Sequence, residues 1–213
     1  MGVSVLVIGQ SGSGKSTSLR NLDPNKVGVF NIASKPLPFR GKLKVINHPS
    51  YDSIKTKLAE NKLKTYVIDD ATYLMQFQNF QKAKFKGYDK FTDMAVEFYN
   101  LLETIREKTS DDTVVYLMGH IDRDEQGRTT MRTIGKMLSN QLCVEGLCPI
   151  VLMAETDGKD HWFTTINDGT SVVKAPMGMF TQPKIDNDLA IVDKAIREYW
   201  GFNDKPEVKE EKK

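Results

Sequence analysis

Nine consecutive residues near the start of the chain have the types and spacing that hold phosphate groups. They are Gly9, Gln10, Ser11, Gly12, Ser13, Gly14, Lys15, Ser16 and Thr17. The first eight fit the pattern G-x-x-x-x-G-K-[ST], between an apolar run and an amphipathic segment. The three glycines let backbone N–H groups approach an anion without Cβ clashes, and a following helix presents its positive N-terminal end. The pattern predicts a nucleotide-binding loop; the alternative is an ordinary glycine-rich turn between a strand and a helix.

Three side chains are predicted to act on a bound nucleotide and its metal ion. Lys15, expected to be exposed on the loop, would reach the β- and γ-phosphates, and the Ser16 hydroxyl would complete a Mg²⁺ shell. Asp69 follows the apolar run 65–68 and is the candidate to hold a metal-bound water. ATP with Mg²⁺ is therefore the expected ligand.

Two further residues at predicted strand ends are candidates for the chemistry. Asp70 could orient or deprotonate an attacking water, or it could instead be the N-cap of a following helix. His120 follows the apolar run 113–118 at the sheet edge where ligands gather in open α/β folds, and could contact a γ-phosphate or its water. The alternative for His120 is a structural role. Zinc is not expected, because the histidines and cysteines have no metal-ligand spacing.

Residues 76–91 combine positive charge with aromatic rings. Four lysines against one aspartate give +4 − 1 = +3. Rings that stack on bases, interleaved with cations that follow phosphates, are typical of single-stranded nucleic acid binding, at ~1–3 kcal/mol per stacked base. The candidates are Lys82, Lys84, Phe85, Lys86, Tyr88 and Lys90. The alternative is an amphipathic helix that packs Leu74, Phe77, Phe80 and Phe85 on the core.

A second loop, residues 121–132, contains three arginines and three acidic residues. Arg123, Arg128 and Arg132 are candidates for contacts with nucleic acid. Because the net charge of the loop is zero, a solvated loop without a ligand is the competing interpretation.

The elements that would position these residues alternate along the chain. Apolar runs predict strands at 3–8, 27–32, 43–46, 65–68, 113–118 and 149–154, and amphipathic segments predict helices at 15–22, 52–63, 92–108, 133–142 and 187–200. This order favours an α/β fold with a mostly parallel sheet and helices on both faces. Residues 161–166 and 171–174, joined by Asn167-Asp168-Gly169, predict a C-terminal antiparallel hairpin.

Composition limits the class of protein. The chain has 213 residues, of which 39% are hydrophobic and 27% charged, which suits one domain over 1–202 with a disordered charged tail at 203–213. No membrane partner is expected, because no stretch reaches about 20 apolar residues. With two cysteines and no recognisable secretion signal, a cytoplasmic location is expected. The net charge of +2 shows no global preference for nucleic acid, so any basic patch must be local.

The order of these features resembles the RecA-like P-loop ATPase core of phage-encoded nucleotide-binding proteins, including phage single-strand annealing recombinases. The resemblance covers about residues 1–200, and its specific motif is the phosphate loop. It implies an ATPase that binds single-stranded DNA through residues 76–91 and 121–132, with His120 coupling nucleotide to DNA. It also implies a homo-oligomer, either a ring or a filament, in a bacterial host cytoplasm. Lys174 would reach a neighbouring subunit's γ-phosphate, or else be a surface lysine.

In that family a water-activating glutamate follows the second strand. This sequence departs from the family at that place. Ser34 lies in that neighbourhood, so hydrolysis is expected to be slow or to depend on Asp70. An N-terminal extension of the kind that links neighbours in larger recombinases is also not expected, so a filament is less expected than nucleotide binding. Three functions remain open: a DNA-stimulated ATPase that promotes annealing or recombination, a small-molecule P-loop kinase, and a nucleotide-gated binding module with negligible turnover.

Overall fold

The computed structural model describes residues 1–85, 87, 89–135 and 142–202. The strands in that part of the chain are β1 (Val3–Gly9), β2 (Val27–Asn31), β3 (Lys44–Asn47), β4 (Thr65–Asp69), β5 (Val114–Gly119), β6 (Ile121–Arg123), β7 (Thr129–Met131), β8 (Ile150–Thr156), β9 (His161–Thr164) and β10 (Lys184–Asp186). The helices are α1 (Tyr51–Ala59), α2 (Thr72–Gln81), α3 (Asp89–Lys108), α4 (Val144–Leu147) and α5 (Leu189–Trp200), with a 3-10 helix at Ser16–Asn21. None of the described helices is long and apolar enough to cross a membrane.

Eight strands form one mixed sheet in the order β10-β9-β8-β1-β5-β4-β2-β3. The neighbours from β8 to β3 pair in parallel, and β9 pairs antiparallel with both β8 and β10. The predicted mostly parallel sheet with an antiparallel edge is therefore confirmed. In the sheet, β5 lies between β1 and β4, so three strands end side by side at one edge.

Helices cover both faces of the sheet, as predicted. Successive side chains of β1 point to opposite faces, so Leu6 and Ile8 pack in one core while Val5 and Val7 pack in the other. The first core includes buried residues of α1, α2 and α3, and the second includes those of the 3-10 helix and α5. A strand buried on both faces must be apolar throughout, which explains the continuous runs in the sequence.

The predicted C-terminal hairpin is wrong in its pairing. Strand β9 does not pair with residues 171–174 but with β8 through a turn at 157–160, where Gly158 has a φ of +96° and Asp157 accepts hydrogen bonds from the backbone of Lys159 and Asp160. Ser171 bridges to Thr129, and Lys174 to Val151. The chain contains two Asp-Gly turns, and the local signal could not show which one joins paired strands.

Four other predictions differ from the structure or fall on residues that it does not describe. The predicted helix 15–22 is a shorter 3-10 helix, and the long helix predicted to begin at residue 92 begins at Asp89. Residues 133–135 are not helical, and most of the predicted helix 133–142 lies outside the described residues. The tail 203–213 also lies outside them.

Candidate functional site

A cleft of about 330 Å³ lies at the carboxyl edge of the sheet, where β1, β2, β4 and β5 end. Its walls include the predicted phosphate loop, the aspartate that ends β4, the aspartate that follows it, and the histidine that follows β5. The site residues predicted from separate parts of the sequence are thus neighbours in space. The parallel pairing of the strands explains this, because it brings their carboxyl ends to one edge.

Glycine is required at two positions of the phosphate loop. Gly12 and Gly14 have φ values of +82° and +92°, a backbone region that other residues rarely adopt. A Cβ on Gly14 would also lie 2.9 Å from His161 Nδ1 and 3.0 Å from Asn187 Oδ1. The loop is therefore packed against the antiparallel edge of the sheet and the start of α5.

Lys15 is buried, with only 6% of its surface exposed, so the expectation that it is exposed on the loop is wrong. Its Nζ donates hydrogen bonds of 2.8 Å to the carbonyl oxygens of Gly9 and Gln10. Burial lowers the pKa of Lys15 to about 8, although the charges of Asp70 and Asp69 partly oppose this. The loop thus holds a poorly solvated positive charge that an anion would stabilise.

Ser16 and Asp69 place two side-chain oxygen groups next to each other beside Lys15. The Ser16 hydroxyl donates a 3.0 Å hydrogen bond to Asp69 Oδ1. Burial and then the charge of Asp70 raise the pKa of Asp69 to about 6, against the hydrogen bond from Ser16. Mg²⁺ prefers such hard oxygen ligands and usually keeps waters and substrate phosphate oxygens as well, so this pair suits it. No group of three or more His, Cys, Asp or Glu side chains within the described residues could hold a metal by itself.

Asp70 has an unusual backbone and lies close to the side chains of His120 and Lys35. Its φ is +62°, and its carboxylate lies 3.3 Å from His120 Nε2 and 3.4 Å from Lys35 Nζ. Burial raises the pKa of this carboxyl, but His120, Lys35 and Lys15 outweigh that effect and hold the pKa below its usual value. The N-cap alternative is wrong, because the N-cap position of α2 is Ala71.

His120 connects the cleft with the elements behind it. Its ring lies edge-on to the ring of Tyr73 with a centroid distance of 5.5 Å. Its backbone N–H donates to Thr72 Oγ1, and its carbonyl accepts from the backbone N–H of Arg132, just after β7. The residue is therefore in contact with Asp70, with α2 and with the second loop.

Lys35 lines the same cleft and was missed by the reasoning from sequence. It follows β2, the strand after which RecA-like ATPases carry a water-activating glutamate, and Ser34 before it is exposed with a φ of +52°. The sequence signal for Lys35 is a cation four residues beyond the end of a parallel strand. That arrangement is too common to identify a site residue.

The basic aromatic segment divides into a buried and an exposed part. Leu74 is buried and Phe77 packs against the core, as the amphipathic-helix alternative expected. That alternative is wrong for the other two rings, since Phe80 is 76% exposed and Phe85 is 67% exposed. Two aromatic rings, one in the last turn of α2 and one four residues beyond the helix, are therefore accessible to a partner.

The lysines of this segment that are predicted to contact nucleic acid have different neighbours in the structure. Lys82 forms a 2.8 Å ion pair with Asp93, and Lys90 lies over the ring of Phe91 at 5.0 Å from its centroid. Lys84 is exposed. Lys86 and Tyr88 lie outside the described residues. Lys84 is thus a candidate phosphate contact, while Lys82 already has an acidic partner.

The second loop contains the β6–β7 pair, and its arginines have acidic neighbours. Arg128 Nε lies 2.8 Å from Asp124 Oδ2, and Arg132 Nε lies 3.8 Å from Asp122 Oδ2. Arg123 is exposed. This pairing favours the solvated-loop interpretation for Arg128 and Arg132.

Lys174 lies away from the cleft. Its backbone pairs with Val151 near the start of β8, whereas the phosphate loop begins at Gly9 beside Ala154 near the other end. The side chain is exposed. A contact with the γ-phosphate of a neighbouring subunit stays a prediction.

Comparison with models of known protein families found no match, and comparison with curated proteins found no chain of significant similarity.

Proposed function

We propose that the protein binds Mg²⁺-ATP in this cleft, hydrolyses it and uses the nucleotide to control binding of single-stranded DNA, as a RecA-like annealing or recombination protein would. The observation that carries the proposal is the meeting of Lys15, the Ser16–Asp69 pair and the Asp70–His120 pair in one cleft. These side chains come from three strand ends and have the chemistry that phosphoryl transfer to water requires.

Phosphate binding would use the desolvated charge of Lys15 and the loop backbone. The Lys15 ammonium already contacts two loop carbonyls and can exchange them for phosphate oxygens, which are stronger acceptors because they are charged. Mg²⁺ held beside Ser16 and Asp69 would neutralise part of the phosphate charge. The protein groups would thereby fix the nucleotide with its terminal phosphate towards Asp70 and His120.

Asp70 would orient the attacking water. A carboxyl whose pKa is held low stays ionised at neutral pH and accepts a hydrogen bond, but it is a weak base. Orientation of the water therefore suits Asp70 better than removal of its proton. His120, which contacts Asp70, would keep the carboxylate in place.

DNA binding would depend on the exposed rings at the far end of α2. This helix begins just after Asp70, contains Tyr73 against His120, and ends beside Phe80, a span of about 15 Å for ten residues. A shift of Asp70 or His120 on nucleotide binding would move the helix as a rigid unit. Phe80 and Phe85 supply stacking surfaces, and Lys84 supplies a cation for a DNA phosphate.

One observation favours a second candidate function, the nucleotide-gated binding module without significant turnover. The residues that follow β2 are Ile32, Ala33, Ser34 and Lys35, with no carboxylate to activate water. In that case ATP binding alone would switch DNA affinity.

ATPase rates measured with and without single-stranded DNA test the proposal. We expect Mg²⁺-dependent hydrolysis that DNA stimulates, and we expect the double variant Phe80→Ala/Phe85→Ala to keep the basal rate but lose the stimulation. Tyr99→Ala, which removes a partly exposed ring of α3, is the matched control and should behave like wild type. Tight ATP binding without hydrolysis would favour the module, and turnover only with a small phosphate acceptor would favour a kinase.

A further inference from the structure

We propose that Lys35 is the residue that distinguishes ATP from ADP. When ATP binds, the Lys35 ammonium would give up its ion pair with Asp70 and bind the γ-phosphate instead. This inference rests on the proposed nucleotide binding and assigns a specific task to a side chain that the phosphate-loop motif does not include.

The backbone that carries Lys35 is fixed at the end of β2. Asn31 pairs in register with Asp69 of β4, and its Nδ2 donates hydrogen bonds to the carbonyl of Lys35 at 2.7 Å and to Asn47 Oδ1 at 2.9 Å. Its own carbonyl accepts the backbone N–H of Ser34. The turn therefore directs the chain over the carboxyl edge of the sheet, where Lys35 lines the cleft with the phosphate loop.

The segment that follows cannot easily rearrange. Pro36 comes directly after Lys35 and Pro38 two residues later. Both line the same cleft, and proline fixes its own φ. Any response to a ligand would therefore be carried by the long, flexible Lys35 side chain rather than by the backbone.

The present partners of Lys35 hold it weakly. Its Nζ lies 3.4 Å from Asp70 Oδ2 and 4.9 Å from the centre of the Tyr73 ring, and 62% of the side chain is exposed. An ion pair with that exposure is worth only ~0–1 kcal/mol. A phosphate group that carries more negative charge than the Asp70 carboxylate can therefore replace Asp70 as the partner of Lys35.

The charges around the cleft favour this exchange. Lys15 and Lys35 both line this cleft, so their positive charges repel each other. A triphosphate bound between them would relieve that repulsion. A diphosphate lacks the terminal group, so Lys35 would stay with Asp70.

The exchange would also explain how the terminal phosphate activates the site. Once Lys35 leaves, one carboxylate oxygen of Asp70 is released while the other stays beside His120. That oxygen could then accept a hydrogen bond from the attacking water. Lys35 would thus couple recognition of ATP to the orientation of water.

Titration calorimetry with Mg²⁺-ADP and with a non-hydrolysable Mg²⁺-ATP analogue tests the inference. We expect wild type to bind the triphosphate about tenfold more tightly than ADP, roughly the value of one charge-assisted hydrogen bond. Lys35→Ala should bind ADP like wild type and lose the preference, whereas Lys35→Arg should keep it. Lys42→Ala, an exposed lysine further along the same segment, is the matched control.

The outcomes separate this inference from the proposed function. If Lys35→Ala keeps the wild-type preference, or if wild type binds both nucleotides equally, the role of Lys35 is wrong while nucleotide binding stands. If wild type binds neither nucleotide, the proposed function itself is wrong.

Discussion

Lys15 carries its charge in a place where that charge destabilises the protein until an anion binds. The motif predicted which residue would contact phosphate, but it did not predict burial, since burial depends on the residues that surround the loop. The same limit applies to Asp70. Its position after β4 was visible in the sequence, whereas its contacts with Lys35 and His120 come from β2 and β5 and require the folded sheet.

The buried charge of Lys15 predicts a pH dependence of stability. Burial lowers its pKa from 10.5 to about 8. In the pH range between these two values, the folded protein therefore binds fewer protons than the unfolded chain. The free energy of unfolding contributed by Lys15 should therefore rise with pH across this window. Urea unfolding of wild type and Lys15→Met from pH 7.5 to 10 measures it.

We expect the stability of wild type, relative to Lys15→Met, to increase as the pH rises. Lys26→Met, which removes an exposed lysine, should follow wild type at every pH and serves as the control. A constant difference between wild type and Lys15→Met would contradict the burial of a charged Lys15.

At the scale of elements, α5 is held against the sheet by a largely buried polar cluster that lies outside the cleft. Asp193 accepts hydrogen bonds from Arg197 Nε at 2.6 Å and from the Tyr116 hydroxyl at 3.2 Å, and Arg197 also reaches the carbonyl of Asp112. The start of this helix supports the site, because Asn187 lies against Gly14 and its carbonyl accepts a hydrogen bond from Arg20.

Asp193→Ala should lower the free energy of unfolding by about 3 kcal/mol, because it removes the carboxylate partner of a largely buried arginine and the acceptor of the buried Tyr116 hydroxyl. Glu198→Ala removes an exposed acid from the same helix and should change stability by less than about 0.5 kcal/mol. Urea denaturation compares the two variants. An equal, small effect for both would mean that the cluster does not hold α5.

The elements themselves were predictable to different degrees. Apolar runs located the parallel strands because strands buried on both faces must be apolar throughout. The C-terminal pairing was wrong because Asp157-Gly158 and Asp168-Gly169 both form turns, and only contacts with distant strands decide which turn joins a pair. The 3-10 form of Ser16–Asn21 likewise has no distinct sequence signal.

For the whole molecule, the sequence predicted a mostly parallel sheet with a site at its carboxyl edge, but not the order of its strands. That order depends on pairings between distant residues, such as β2 with β4, and it places Lys35 in the cleft. The net charge of a sequence segment also did not predict which of its cations have acidic partners in the fold. Lys82, Arg128 and Arg132 have acidic partners in the fold, so the proposed DNA contact moves towards the exposed rings Phe80 and Phe85.

The central claim is that the cleft binds Mg²⁺-ATP through Lys15, and titration calorimetry of wild type and Lys15→Ala tests it most directly. Wild type should bind one nucleotide per chain, and the ligand should raise the melting temperature, since ATP at 100 times its Kd adds about 2.7 kcal/mol to the stability of the native state. Lys15→Ala should keep its circular dichroism spectrum and show neither binding nor a thermal shift, while Lys26→Ala behaves like wild type. Wild-type ATP affinity in a folded Lys15→Ala variant would contradict the assignment of this cleft as a nucleotide site.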